Sequence, residues 1–117
     1  MNGGNVKVGL KPKKEFQLPP VKDYNQARNQ AQDILGDLGA DSKPYISRLE
    51  SSSTYGEVVG RVSADNKRRW RLDYDPEKGL HINVEDFSKG KSPNKVIKRV
   101  IPIENGNVDS LIRHLNK

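Results

Sequence analysis

The sequence predicts an α+β domain: one N-terminal helix or two, then a four-stranded antiparallel β-meander, then a short C-terminal helix. Three observations lead there. Apolar residues recur at helical spacing over 23–39, the period switches to two over 55–103, and turn-forming sequences separate the alternating runs. A length of 117 residues suits a single domain.

The elements follow in order. The stretch "MNGGNVKVGLKPKKEFQLPPVK" (1–22) holds three Gly, three Pro and five Lys without periodicity. It reads as an extended basic leader or linker, and its opening "MNGG" as a start made when a larger protein was cut down. The folded domain is expected over 23–117. In "DYNQARNQAQDILGDLG" (23–39), Asp23 can cap a helix whose inner side carries Ala27, Ala31, Ile34, Leu35 and Leu38, with Gly39 closing it. "SKPYISRLESS" (42–52) is read as a short second helix starting at Pro44, with Tyr45, Ile46 and Leu49 inward. "YGEVVGRVSA" (55–64), "RRWRLDY" (68–74), "LHINVEDF" (80–87) and "VIKRVIPI" (96–103) are the strands. "DNK" and "DPEKG" are turns, and "SKGKSPN" is a longer basic loop. Pro102 places the end of the fourth strand at a sheet edge. "NVDSLIRHL" (107–115) closes the chain with Val108, Leu111, Ile112 and Leu115 on its apolar side, and with His114 as a dipole-compatible residue of its last turn.

Alternation then fixes which residues meet. Pairing Tyr74 with Leu80 sets Trp70, Leu72, Ile82 and Val84 on the apolar face, with Trp70 and Tyr74 pointing inward. On the opposite face Asp73 meets His81, Arg71 meets Asn83 and Arg69 meets Glu85. A "DNK" turn that sets Ala64 opposite Arg68 would bring Arg61 beside Arg71. The expected patch is Arg61, Arg69, Arg71, Asp73, His81, Asn83 and Glu85, facing solvent or ligand.

Composition narrows the partner. Hydrophobic residues make up 32% of the chain, so the core is small. A net charge of +6 favours an anionic partner: nucleic acid, an anionic membrane surface or an acidic protein. No apolar run approaches ~18 residues, so no helix is expected to span a bilayer, and residues 1–21 lack a secretory signal. With no Cys, disulfides, thiolate metal sites and the zinc-deaminase pattern are excluded. Two distant His argue against a His-built metal site, and no cofactor is expected.

The patch suits one reaction. RNA can be cleaved without metal when its 2′-hydroxyl attacks the adjacent phosphate. That needs a base near the hydroxyl, an acid near the leaving 5′-oxygen and cations on the phosphate. His81 titrates in the useful range, and Asp73 opposite it can orient the ring. Glu85 lies two residues along the same face, about 7 Å away by strand rise. Arg69 and Arg71 offer forked donors to phosphate oxygens, with Arg61, Asn83, Lys89 and Lys91 as further nucleic-acid contacts. The alternative is a non-catalytic nucleic-acid-binding module using the same basic face; ordinary cross-strand ion pairs on a solvated sheet would carry the same residues.

The run "RRWRLDYDPEKGLHINVEDFSKGK", followed by "KRVIPIE" and a last short helix, resembles the C-terminal toxin domains of bacterial polymorphic and contact-dependent growth inhibition systems, over residues 55–117. The helix-then-meander layout is similar to the barnase/EndoU/colicin/RelE-like ribonuclease superfamily. The resemblance implies a metal-independent endoribonuclease acting on tRNA, rRNA or mRNA, secreted as the tip of a larger bacterial protein, delivered to a target-cell cytoplasm and neutralised by a cognate immunity protein. It implies His81 with a nearby acid and arginine as the centre. The protein is expected to be monomeric when alone.

Overall fold

The computed structural model describes residues 15–48 and 54–117. The order is β1 (Glu15–Gln17), α1 (Tyr24–Leu35), β2 (Lys43–Ile46), β3 (Val58–Val62), β4 (Arg68–Asp75), β5 (Gly79–Asp86), β6 (Ile97–Pro102) and α2 (Val108–Leu115). The four expected strands are present as β3 to β6. They belong to a six-stranded mixed sheet in the order β1-β6-β5-β4-β3-β2. β2 to β6 run antiparallel, and β1 adds to β6 in parallel.

The two extra strands correct the sequence reading. Residues 43–46 form an edge strand on β3 instead of the start of a second helix; the Ser47 N–H extends the pairing to the Glu57 carbonyl, and residues 49–52 of that stretch lie outside those described. Pro44 is tolerated there because an edge strand has one unpaired side. Part of the stretch read as a linker is also sheet: Phe16 pairs with Arg99, and the Val21 N–H donates to the Pro102 carbonyl at 2.9 Å. The rest of that leader, residues 1–14, is outside the described residues. β6 is therefore an inner strand, and Pro102 does not mark an edge. The Ile103 N–H still reaches Leu80 of β5, so the missing proline N–H falls on the β1 side, where pairing is already sparse.

α1 starts as the sequence predicts. The Asp23 carboxylate accepts the Gln26 N–H at 3.0 Å, and the Gln26 side chain accepts the Lys22 N–H at 2.8 Å. It stops earlier than expected, at Gly36 (φ 75°), whose N–H returns to the Gln32 carbonyl. α2 is capped by Asn107, which accepts the Ser110 N–H at 3.0 Å. Its far end is tied down by Asn116. That side chain accepts the Val58 N–H at 2.8 Å and donates to the Val58 carbonyl at 3.0 Å. Asn116 thus satisfies both backbone groups of one strand residue.

Both helices lie on one face. Tyr24, Ala27, Ala31 and Leu35 of α1 and Ile112 of α2 bury Val59, Trp70, Leu72, Ile82, Val84 and Ile101. Each large apolar side chain so buried contributes about 1.5–3 kcal/mol. Trp70 is in this core as expected. Tyr74 is not: the β4–β5 hairpin runs past the helices, and Tyr74 is 56% exposed. Among the described residues, no helix is long and apolar enough to cross a membrane.

A candidate anion cleft on the open sheet face

The β4–β5 register is the predicted one. Arg69 stands opposite Glu85, Arg71 opposite Asn83, and Asp73 opposite His81. The β3–β4 register differs by one residue. Val62 pairs with Arg69, Gly60 with Arg71, and Arg61 with Trp70. The turn is longer than "DNK": Ser63 pairs with Arg68, and Asn66 takes φ 63°. A one-residue slip moves every side chain to the other face. Arg61 therefore leaves the patch. It lies on the helix side and donates to the Ser42 carbonyl at 2.7 Å and to its hydroxyl at 3.0 Å.

Gly60 occupies the place this slip opens on the polar face, and no other residue fits. A Cβ there would run into the Trp70 carbonyl and approach Arg71 Cα to 2.8 Å. With no side chain at Gly60, Tyr45 of β2, its pairing partner, can lean toward β4. The Arg69 guanidinium lies over the Tyr45 ring at 5.5 Å and over the Phe87 ring at 5.2 Å. These two contacts hold it flat and limit its rotamers.

Glu85 is the centre of the charged group. Its Oε1 accepts from Arg69 Nε at 2.6 Å and lies 3.5 Å from Arg71 Nη1; its Oε2 lies 3.9 Å from Lys98 Nζ. Lys98 enters because β6 sets it opposite Glu85. Asp73 accepts from Asn83 Nδ2 at 3.4 Å, and one of its oxygens is 3.9 Å from Arg71 Nε. A cleft of about 350 Å³ opens beside this group, lined by Tyr45, Ser47, Arg48, Arg69, Arg71, Asp73 and Glu85 among others.

His81 is not where the expected chemistry needs it. Its backbone position lies on the same face as Arg69 and Arg71, but its side chain is 1% exposed and does not line the cleft. Pro102 of β6 pairs beside it, and its Nδ1 is 2.7 Å from the Gly79 carbonyl, to which the ring donates as the Nδ1–H tautomer. The open imidazole is therefore corrected to a buried ring that braces its own hairpin. Asn83 is buried as well, at 7%. Lys89 and Lys91 are exposed in the β5–β6 loop.

Two cleft residues and Lys98, which flanks Glu85, escaped the sequence reading. Lys98 needed the fourth strand's register, Arg48 sat in a stretch read as helix, and Tyr45 sat on what proved to be an edge strand. The alternation of "VIKRVIPI" held a signal for Lys98, since it shares a face with Val100 and Pro102.

Chemically, the cleft presents Arg48, Arg69 and Arg71 beside the carboxylates of Glu85 and Asp73, with Lys98 flanking Glu85. Arg48, Arg69, Arg71 and Lys98 outnumber Glu85 and Asp73, so the face attracts anions. Among the described residues there is no group of three or more His, Asp or Glu that could hold a metal ion. A scan against models of known protein families finds no match to this sequence, and a search of curated protein sequences finds none either.

Proposed function

We propose that this chain is a metal-independent endoribonuclease of the toxin kind, with its reacting centre at Glu85 instead of an open imidazole at His81. One observation carries the proposal: a cleft-lining carboxylate fixed through one oxygen by Arg69, with its other oxygen 3.9 Å from the Lys98 ammonium, inside a cluster of cations. Glu85 Oε2 takes the proton of an RNA 2′-hydroxyl as that oxygen bonds to phosphorus. The bond from phosphorus to the 5′-oxygen breaks, and the leaving oxygen takes a proton from the Lys98 ammonium or from water. Arg71 and Arg48 neutralise the non-bridging oxygens as charge develops on them. A general base of this kind is worth about 10²–10⁴-fold in rate. The resemblance over 55–117 extends the proposal to delivery as the tip of a larger bacterial protein and to a cognate immunity protein.

The test is incubation with total cellular RNA in EDTA. Cleavage by the wild-type protein, lost in Glu85→Gln with circular dichroism unchanged, is the expected result. An absence of cleavage with every RNA tried, together with normal growth of cells expressing the protein, overturns it. So does undiminished cleavage by Glu85→Gln.

A second reading is a non-catalytic nucleic-acid-binding module on the same face. The burial of His81 favours it, because the cleft then lacks an imidazole. In that case Glu85→Gln leaves binding intact, no RNA is cut, and the salt dependence of affinity falls by about one unit of slope for each of Arg48 and Arg71 removed.

A further inference from the structure

On the helix side of the sheet, a groove of about 490 Å³ lies between α1, β3 and the end of α2. Its walls include Arg28, Arg61, Trp70, His114 and Lys117, and among the described residues that line it none is Asp or Glu. Two of its buried hydrogen-bond donors have no partner among the described residues: the Trp70 indole Nε1–H and the Arg28 Nε–H. Trp70 is 3% exposed, and its N–H meets no acceptor of the described protein residues. Such a donor destabilises the fold when it stays unmet, and folded proteins keep few of them. Indole and guanidinium can only donate. A ligand meeting these donors would accept hydrogen bonds from them, and the surrounding positive charge favours an anion. Arg61 adds to this charge: its Nη2 is held by Ser42, which fixes the guanidinium beside Trp70. The adjoining hollow shares Gln32, Arg61 and Trp70 but carries Asp33 and Asp37. Those carboxylates repel an anion from that end and leave the α2 end as its seat.

We propose that this groove binds a small phosphate monoester, held by Trp70 Nε1–H, Arg28 and Arg61. Its volume lies in the range of about 300–1,000 Å³ typical of small-molecule sites, so it has room for an organic group beyond the phosphate, against Tyr24 and Leu115. A tetrahedral oxyanion can accept from three donors lining one groove, whereas a planar carboxylate is best met by a two-pronged fork. The site lies across the sheet from Glu85 and does not depend on the RNA-cleaving reading.

The protein has one Trp, so the Trp70 indole gives a single side-chain signal in a ¹H–¹⁵N spectrum. Titrations at fixed ionic strength with inorganic phosphate, with adenosine monophosphate and with acetate separate the sources. Saturable movement of the indole signal is expected with both phosphates and not with acetate. Arg28→Met and Arg61→Met, either of which suffices if the other misfolds, should each weaken phosphate by about tenfold or more. Arg71→Ala, on the open face, should leave the titration unchanged. An indole signal indifferent to phosphate overturns the proposal, as does acetate acting as strongly as phosphate. Loss of the response in Arg71→Ala would trace the effect to the other face and overturn it equally.

Discussion

Replacing Gly60 by alanine tests the sheet register that shapes the cleft. Elsewhere a Gly→Ala change gains about 0.4–1 kcal/mol by restricting the unfolded chain, so the sign of the effect is informative. Here the new methyl would meet the Trp70 carbonyl and carbonyl carbon and Arg71 Cα, the last at 2.8 Å. All three are backbone atoms of an inner strand, and none can rotate away. Overpacking of a rigid site costs about 1–3 kcal/mol. The strands must also part where only three residue pairs join β3 to β4, with loss of one or more ladder bonds at about 1 kcal/mol each. The net expectation is a loss of about 2–3 kcal/mol. With a urea m-value of about 1–3 kcal/mol/M, the unfolding midpoint should fall by roughly 1–2 M. Tyr45 should move off Arg69 in the same variant, weakening any anion binding at the cleft. Urea unfolding followed by circular dichroism reads the first effect. A Gly60→Ala protein as stable as the wild type, or more stable, would refute the one-residue slip and the placement of Arg61 that rests on it.

The remaining predictions use the same sheet. Asn116→Ala removes both bonds to Val58 and should cost about 1–2 kcal/mol, with faster amide exchange in β3 as the check. His81→Ala should lower stability by about 1–3 kcal/mol through a buried gap and a freed Gly79 carbonyl, while RNA cleavage at temperatures where it stays folded remains; loss of cleavage without loss of stability would return the imidazole to the chemistry. Asp65 is held below its ordinary range by the Ser63 hydroxyl and the Lys67 N–H, and Asp75 by the Lys78 N–H with a smaller effect of nearby His81. Because their pKa values are lower in the fold, the stability they give is complete above the unfolded value of about 3.9 and vanishes as pH falls through the folded one. Asp65→Asn and Asp75→Asn should therefore destabilise at neutral pH and converge on the wild type in acid; unfolding curves that stay equally far apart at every pH would contradict this.

Much of the fold was legible in the residues, for reasons that differ by element. β4 and β5 alternate over eight residues each and are joined by a tight turn, so only one register buries Trp70, Leu72, Ile82 and Val84 together. "VVGRV" carries no such instruction. It offers a valine to each face whichever way it is read, and a glycine hides the choice. The "KPYI" strand is four residues with a proline, and a helix start fits it equally well until β3 claims it. β1 is three residues long and finds its partner only through the far end of the chain. As for the site, the pairing of Arg69 with Glu85 could be read from alternation. The burial of His81 could not, because it depends on β6 setting Val100 and Pro102 beside the polar residues of β5.

The pairing of Glu15 with Lys98 joins the first described element to the last strand. Most of the chain must be made and folded before β1 has anything to zip onto, so it should dock last. Held by a few bonds at one rim, it should also be the first strip to peel when the domain is pulled from that side. A force applied through the N-terminal segment would then strip this margin while leaving β2 to β6, and the cleft among them, assembled.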